Sequence, residues 1–91
     1  MNNGKESIIN LLTENLPLLR KKIKMTQEEL ANQIGISRHS IIAIETSKKS
    51  MGWNTCLAII AVFSKDEDAK NLMDILGITG GDFYDLIDLN Q

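Results

Sequence analysis

Thr26-Gln-Glu-Glu-Leu-Ala-Asn-Gln-Ile-Gly-Ile-Ser-Arg-His-Ser-Ile-Ile-Ala-Ile-Glu-Thr46 is the stretch on which the reading of this chain turns. Thr26 followed three residues on by Glu29 is a capping box, in which hydroxyl and carboxylate satisfy the N–H groups left open at a helix start. A helix therefore begins at about Gln27. Leu30, Ala31 and Ile34 form a narrow apolar stripe that ends at Gly35, a residue free to take the left-handed conformation that stops a helix. Ile36 then turns inward, and Ser37 is a good N-cap for a second helix. Small Ala31 lets that second helix cross closely over the first.

At about 100° per residue, Ile41 and Ile44 point to one side of the second helix, with Ser37 and Ser40 beside them on the buried side. Arg38, His39, Ile42, Ala43 and Thr46 fall opposite. A purely structural helix shows mostly charged residues there, whereas this set suits the major groove of a duplex. Arg38 can fork onto guanine, His39 can donate to a base edge or phosphate, and Ile42 or Ala43 can lie against a thymine methyl. The competing reading is a solvated face with one stray isoleucine. Two short helices joined by this kind of turn make the unit called helix-turn-helix.

Residues 19–63 resemble the DNA-binding domains of the phage repressor and Cro type, similar to the xenobiotic-response-element regulators. The matching pieces are Thr26-Gln27-Glu28-Glu29-Leu30-Ala31, Gly35-Ile36-Ser37, and Ile41 with Ile44-Glu45. The resemblance implies that Arg38, His39, Ile42 and Ala43 read bases. It makes Gln27 a phosphate clamp, with Ser37, Thr46, Lys48 and Lys49 the further phosphate candidates. It also implies a structural ion pair between Arg20 and Glu45, holding the first helix against the recognition helix. The chain departs from the pattern after Glu45, where the family commonly has a glycine of positive φ and this sequence has Thr46-Ser47. A differently shaped loop over 46–51 is expected, which bears on Lys48 and Lys49.

The net charge of −2 at first argues against a polyanion partner. Its distribution removes the objection. Residues 20–49 carry seven basic against three acidic side chains, a net of +4, whereas residues 50–91 carry two against seven, a net of −5. Positive charge surrounds the reading unit, and an acidic distal surface keeps the wrong face away from phosphates. Two ordinary solvated faces are the alternative.

Outside the unit the pattern is helical, so the expected fold is all-α: a compact bundle of five or so short helices of lambda-repressor-like type, with an N-terminal helical extension and a short C-terminal helix. One domain over 1–91 is expected, with a core over 16–78 and an acidic, apolar segment over 79–91. A first helical region over about 6–22 should be kinked or split at Pro17. Asn54 is placed to cap a helix over 55–63 that is apolar nearly all round and belongs at the centre of the domain or under a partner. Asp66 or a neighbour starts a helix with the stripe Ala69, Leu72, Met73 and Leu76, ending at Gly77. Phe83, Leu86 and Ile87 mark a short helix that packs within the chain or forms a dimer contact. Trp53 reads as a lid on the core, or alternatively an interface anchor. Residues 1–5 and 79–81 are expected to be the loosest.

Catalysis finds little support, because the single histidine and single cysteine form no nucleophile–base pair, and no enzyme activity is expected. No cluster offers metal ligands, the carboxylates at 66, 67, 68 and 74 lack calcium-loop spacing, and no cofactor is implied. The longest apolar run, eight residues over 56–63, is far below the ~20 needed to cross a bilayer, and with a lone cysteine this points to the cytoplasm. The expected function is a transcription regulator: a repressor that binds double-stranded DNA at a palindromic operator as a homodimer. The alternative is an antitoxin or protein-interaction module that binds a protein partner through the C-terminal segment.

Overall fold

In the computed structural model, which describes residues 4–87 apart from the side chain of Asp82, the chain forms six helices. These are α1 (Gly4–Lys22), α2 (Gln27–Ile34), α3 (Arg38–Glu45), α4 (Trp53–Phe63), α5 (Glu67–Ile75) and α6 (Gly81–Ile87). The described residues contain no strand, and the fold is an all-α bundle. Residues 1–3 and 88–91, the ends of the expected loose and acidic segments, lie outside the described residues.

The longest helix, α1, is the spine. It packs against α3, α4, α5 and α6, while α2 packs against α3 and α4. Pro17 lies inside α1, which runs unbroken from Gly4 to Lys22, so the expected split does not occur. Proline within a helix costs about 3 kcal/mol. Leu12, Leu16 and Leu19, on either side of it, are fully buried, and each contributes roughly 1.5–3 kcal/mol. Packing of one continuous face therefore outweighs the lost hydrogen bond.

The α2 capping box is complete: the Glu29 N–H donates to Thr26 Oγ1 at 3.0 Å, and the Thr26 N–H donates to Glu29 Oε1 at 2.8 Å. Gly35 ends α2 at φ 78°, and both its N–H and that of Ile36 donate to the Ala31 carbonyl, at 2.9 and 3.1 Å. This double bond to one carbonyl sets the sharp turn into α3. Leu30 and Ala31 from α2 meet Ile41 and Ile44 from α3 in the core. Ser37 caps α3 by accepting from the Ser40 N–H at 3.0 Å. That role keeps Ser37 exposed and Ser40 half-buried rather than on the sealed side.

Helix α4 begins at Trp53 with Gly52 as its cap residue and no side-chain cap, so Asn54 lies within the first turn instead of capping it. Trp53 is drawn into that turn by packing. Its ring lies 6.4 Å from that of Phe83, tilted at 56°, and Lys5 Nζ sits 5.5 Å from a Trp53 ring centroid. Trp53 is half-buried against the core, the position of a lid. Cys56, Ile59, Ile60, Val62 and Phe63 are buried, which places α4 at the centre. Asp66 caps α5 by accepting from the Ala69 N–H at 3.0 Å. Ala69 and Met73 are buried and Leu72 and Leu76 half-buried.

The segment 79–81 is better anchored than its glycines suggest. Thr79 is buried and its hydroxyl donates to Asp74 Oδ1. From there Phe83 buries itself in the chain's own core and Leu86 packs against it. Gly4 and Lys5, expected among the loosest residues, form the first turn of α1.

Two non-glycine residues among those described take positive φ, Lys24 at 57° after α1 and Ser47 in the α3–α4 connection. Ser47 takes φ 62°, the left-handed conformation that a glycine would occupy at this place. The expected change of shape after Glu45 is thus absent at that residue. The turn is pinned because the N–H groups of Lys48 and Lys49 both donate to the Ala43 carbonyl, at 2.8 and 3.2 Å. Holding a side-chain-bearing residue there costs about 1–2 kcal/mol. Replacing Ser47 by Gly should therefore raise the unfolding free energy by about 1 kcal/mol in urea titrations. Gly35→Ala should lower it by about 1–2 kcal/mol and Gly35→Asn by less. The reason is conformational, since a Cβ at Gly35 meets nothing within 4 Å.

Candidate nucleic-acid interface

Helix α3 divides into two faces. Ile41 and Ile44 are sealed in the core at 0% and 2% exposure, whereas Arg38 and His39 at its first turn are exposed. Among the described residues neither Arg38 nor His39 is engaged by another side chain. Ile42 and Ala43 are half-buried, so they are less open than the wheel placed them. Each keeps part of its surface beside Arg38 and His39. The physical reason is that α3 lies in the angle between α1 and α2, which covers its flanks as well as its inner face.

Behind α3 the first three helices meet at one carboxylate. Arg20, at the end of α1, donates from Nε to Glu45 Oε2 at 2.6 Å and from Nη2 to Oε1 at 2.8 Å, a bidentate pair. Its Nη1 donates to the Met25 carbonyl at 3.0 Å, in the turn before α2. The pair is nearly closed to water, with side-chain exposures of 10% and 6%. The hydrogen bonds it donates to Glu45 hold the Arg20 guanidinium above its ordinary pKa, with burial opposing and direct charge attraction adding to them.

Glu45 also holds Gln27. The Gln27 Nε2 donates to Glu45 Oε1 at 3.0 Å. This contact was not visible in the sequence, where the two residues are eighteen positions apart. Gln27 is half-buried at the start of α2 and lines an open cleft of about 590 Å³ together with Arg20, Thr26, Glu28 and Arg38. The cleft thus joins the start of α2 to the start of α3.

The remaining phosphate candidates surround this region. Lys48 and Lys49 are exposed on the turn after α3. Ser37 and Thr46 are exposed at the two ends of α3, but their hydroxyl hydrogens are already directed within the chain. Ser37 Oγ donates to Ser40 Oγ at 3.1 Å, and Thr46 Oγ1 donates to the Ile42 carbonyl at 2.8 Å.

With the helices, the crossing and the outward residues in place, comparison with known families bears on the same segment. Residues 13–54 match the helix-turn-helix domain family. No curated protein and no solved structure was found to match the chain. The matched segment runs from the middle of α1 to the first turn of α4, so it contains α2, α3 and the Arg20–Glu45 pair.

Few other chemical groups surround the matched segment. Among the described residues no three His, Cys, Asp or Glu side chains come together as metal ligands, and no helix is long and apolar enough to cross a membrane. Cys56 is fully buried, and burial pushes its thiol up to about 11. It is protonated at neutral pH, so thiol reagents should modify it only in unfolded protein. Stability should fall between about pH 9 and 11, where the unfolded thiol ionises and the buried one does not.

The Arg20–Glu45 pair yields a sharper test. Glu45→Ala leaves a buried guanidinium without its partner and should cost about 3–5 kcal/mol in urea unfolding. Replacing both, Arg20→Met with Glu45→Leu, should leave stability within about 1–2 kcal/mol of the parent or increase it.

Proposed function

We propose that this protein is a sequence-specific regulator of transcription that binds double-stranded DNA through α3. The reading is carried by one observation: within a helix-turn-helix domain, Arg38 and His39 stand exposed and unengaged on the face opposite the sealed Ile41 and Ile44. An arginine there can fork onto guanine O6 and N7, histidine can donate to a base edge, and the open edges of Ile42 and Ala43 suit a thymine methyl. Gln27, Lys48 and Lys49 approach phosphates on either side. Ser37 and Thr46 join them when their hydroxyls turn from Ser40 and Ile42.

A single eight-residue α3 spans only a few base pairs. Two copies related by a two-fold axis would read two half-sites about 34 Å apart on one face of the duplex, which is a palindrome. We therefore take the active species to be a homodimer on a palindromic operator, acting in the cytoplasm and most simply as a repressor that blocks polymerase. The net +4 of residues 20–49 favours DNA rather than a protein as the partner of this face. The antitoxin or protein-interaction alternative gains nothing comparable from the structure.

Selection of bound duplexes from a random pool, followed by binding across a salt series, tests the reading. The expected result is a selected palindrome and an affinity that falls steeply with salt. Loss of all duplex binding in dilute buffer would overturn it. On the selected duplex, Arg38→Ala should cost about 1–3 kcal/mol while barely changing non-specific binding. Lys48→Ala and Lys49→Ala should weaken all duplexes alike, each reducing the salt slope by about one.

A further inference from the structure

We propose that Glu45 is a positioning residue for DNA binding: it holds the Gln27 amide in the one orientation that leaves an N–H aimed at a backbone phosphate. The proposal rests on the reading above, in which the start of α2 meets the duplex.

The geometry carries it in three steps. A glutamine side chain has a donor end and an acceptor end, and a carboxylate attracts the first and repels the second. With Nε2 at 3.0 Å from Glu45 Oε1, the amide has one favourable orientation. One of its hydrogens is committed to Glu45, and the second is left for an outside acceptor. Next, Glu45 cannot turn away. Both its oxygens are held by Arg20, which is itself tied to the Met25 carbonyl just before the α2 cap. The end of α1, the start of α2 and the end of α3 are therefore fixed around the same carboxylate. Finally, Arg20 neutralises a negative charge that would otherwise lie close to the phosphate path. Arg38, on the other side of the same cleft, adds to the positive potential. A hydrogen bond that served only the fold would need none of this access, and Gln27 would be free to lose it without consequence for DNA.

The test uses the full chain and the duplex selected above, with four proteins: parent, Gln27→Ala, Arg20→Met with Glu45→Leu, and the triple variant. The paired replacement removes the carboxylate without stranding a buried charge. Gln27→Ala is expected to weaken binding about threefold to tenfold. The pair should weaken it equally, and the triple variant should be no weaker than the pair, because Glu45 acts through Gln27. Wild-type affinity in either Gln27→Ala or the paired variant overturns the proposal.

A second measurement needs no DNA. In free parent protein, NMR of side-chain amides should show Gln27 held rigid, in contrast to the exposed Gln33. Averaging of Gln27 like that of Gln33 overturns the positioning step, even if the paired variant does not fold. A parent that binds no duplex but keeps a rigid Gln27 overturns the DNA reading, and the proposed role with it, while leaving the contact to Glu45 intact.

Discussion

The buried bond between Arg20 and Glu45 is the constraint on which the arrangement of the first three helices depends. To the apolar packing of α3 on α1 the bidentate ion pair, at 2.6 and 2.8 Å and nearly closed to water, adds a directional constraint. It contributes little net free energy, because desolvation of both groups offsets most of their attraction. Its effect is geometric: displacement of either helix would strand a charge in the interior. The third bond, to the Met25 carbonyl, extends the same control to the entry of α2.

The local chemistry of residues 26–46 made α2, the turn and the start of α3 legible. Each signal there acts within four residues: the capping box, the glycine of positive φ, the serine cap. The burial of Ile41 and Ile44 followed from helical spacing alone. The Arg20–Glu45 pair came from family resemblance, since nothing local connects residues twenty-five positions apart. Gln27's bond to Glu45 escaped both routes for the same reason of distance.

Where sequence rules failed, a local preference was set against a longer-range interaction. Pro17 signals a break, yet the three buried leucines around it keep α1 continuous. Ser47 is a poor residue for φ 62°, yet two backbone bonds to Ala43 hold it there. Asn54 is a good cap, yet the packing of Trp53 starts α4 two residues earlier than that cap would allow. Half-burial of Ile42 and Ala43 had the same origin, because a helical wheel knows one helix and these residues sit between three.

The division of α3 into two faces also shapes how such a chain can change over generations. Ile41 and Ile44 answer to the interior, whereas Arg38 and His39 touch nothing the fold requires. Substitutions at the second pair can drift through many residue types without endangering the molecule's existence. On the proposed reading of α3, the scaffold can thus acquire new target preferences in single steps, each intermediate remaining folded, and the same architecture can diversify into a repertoire.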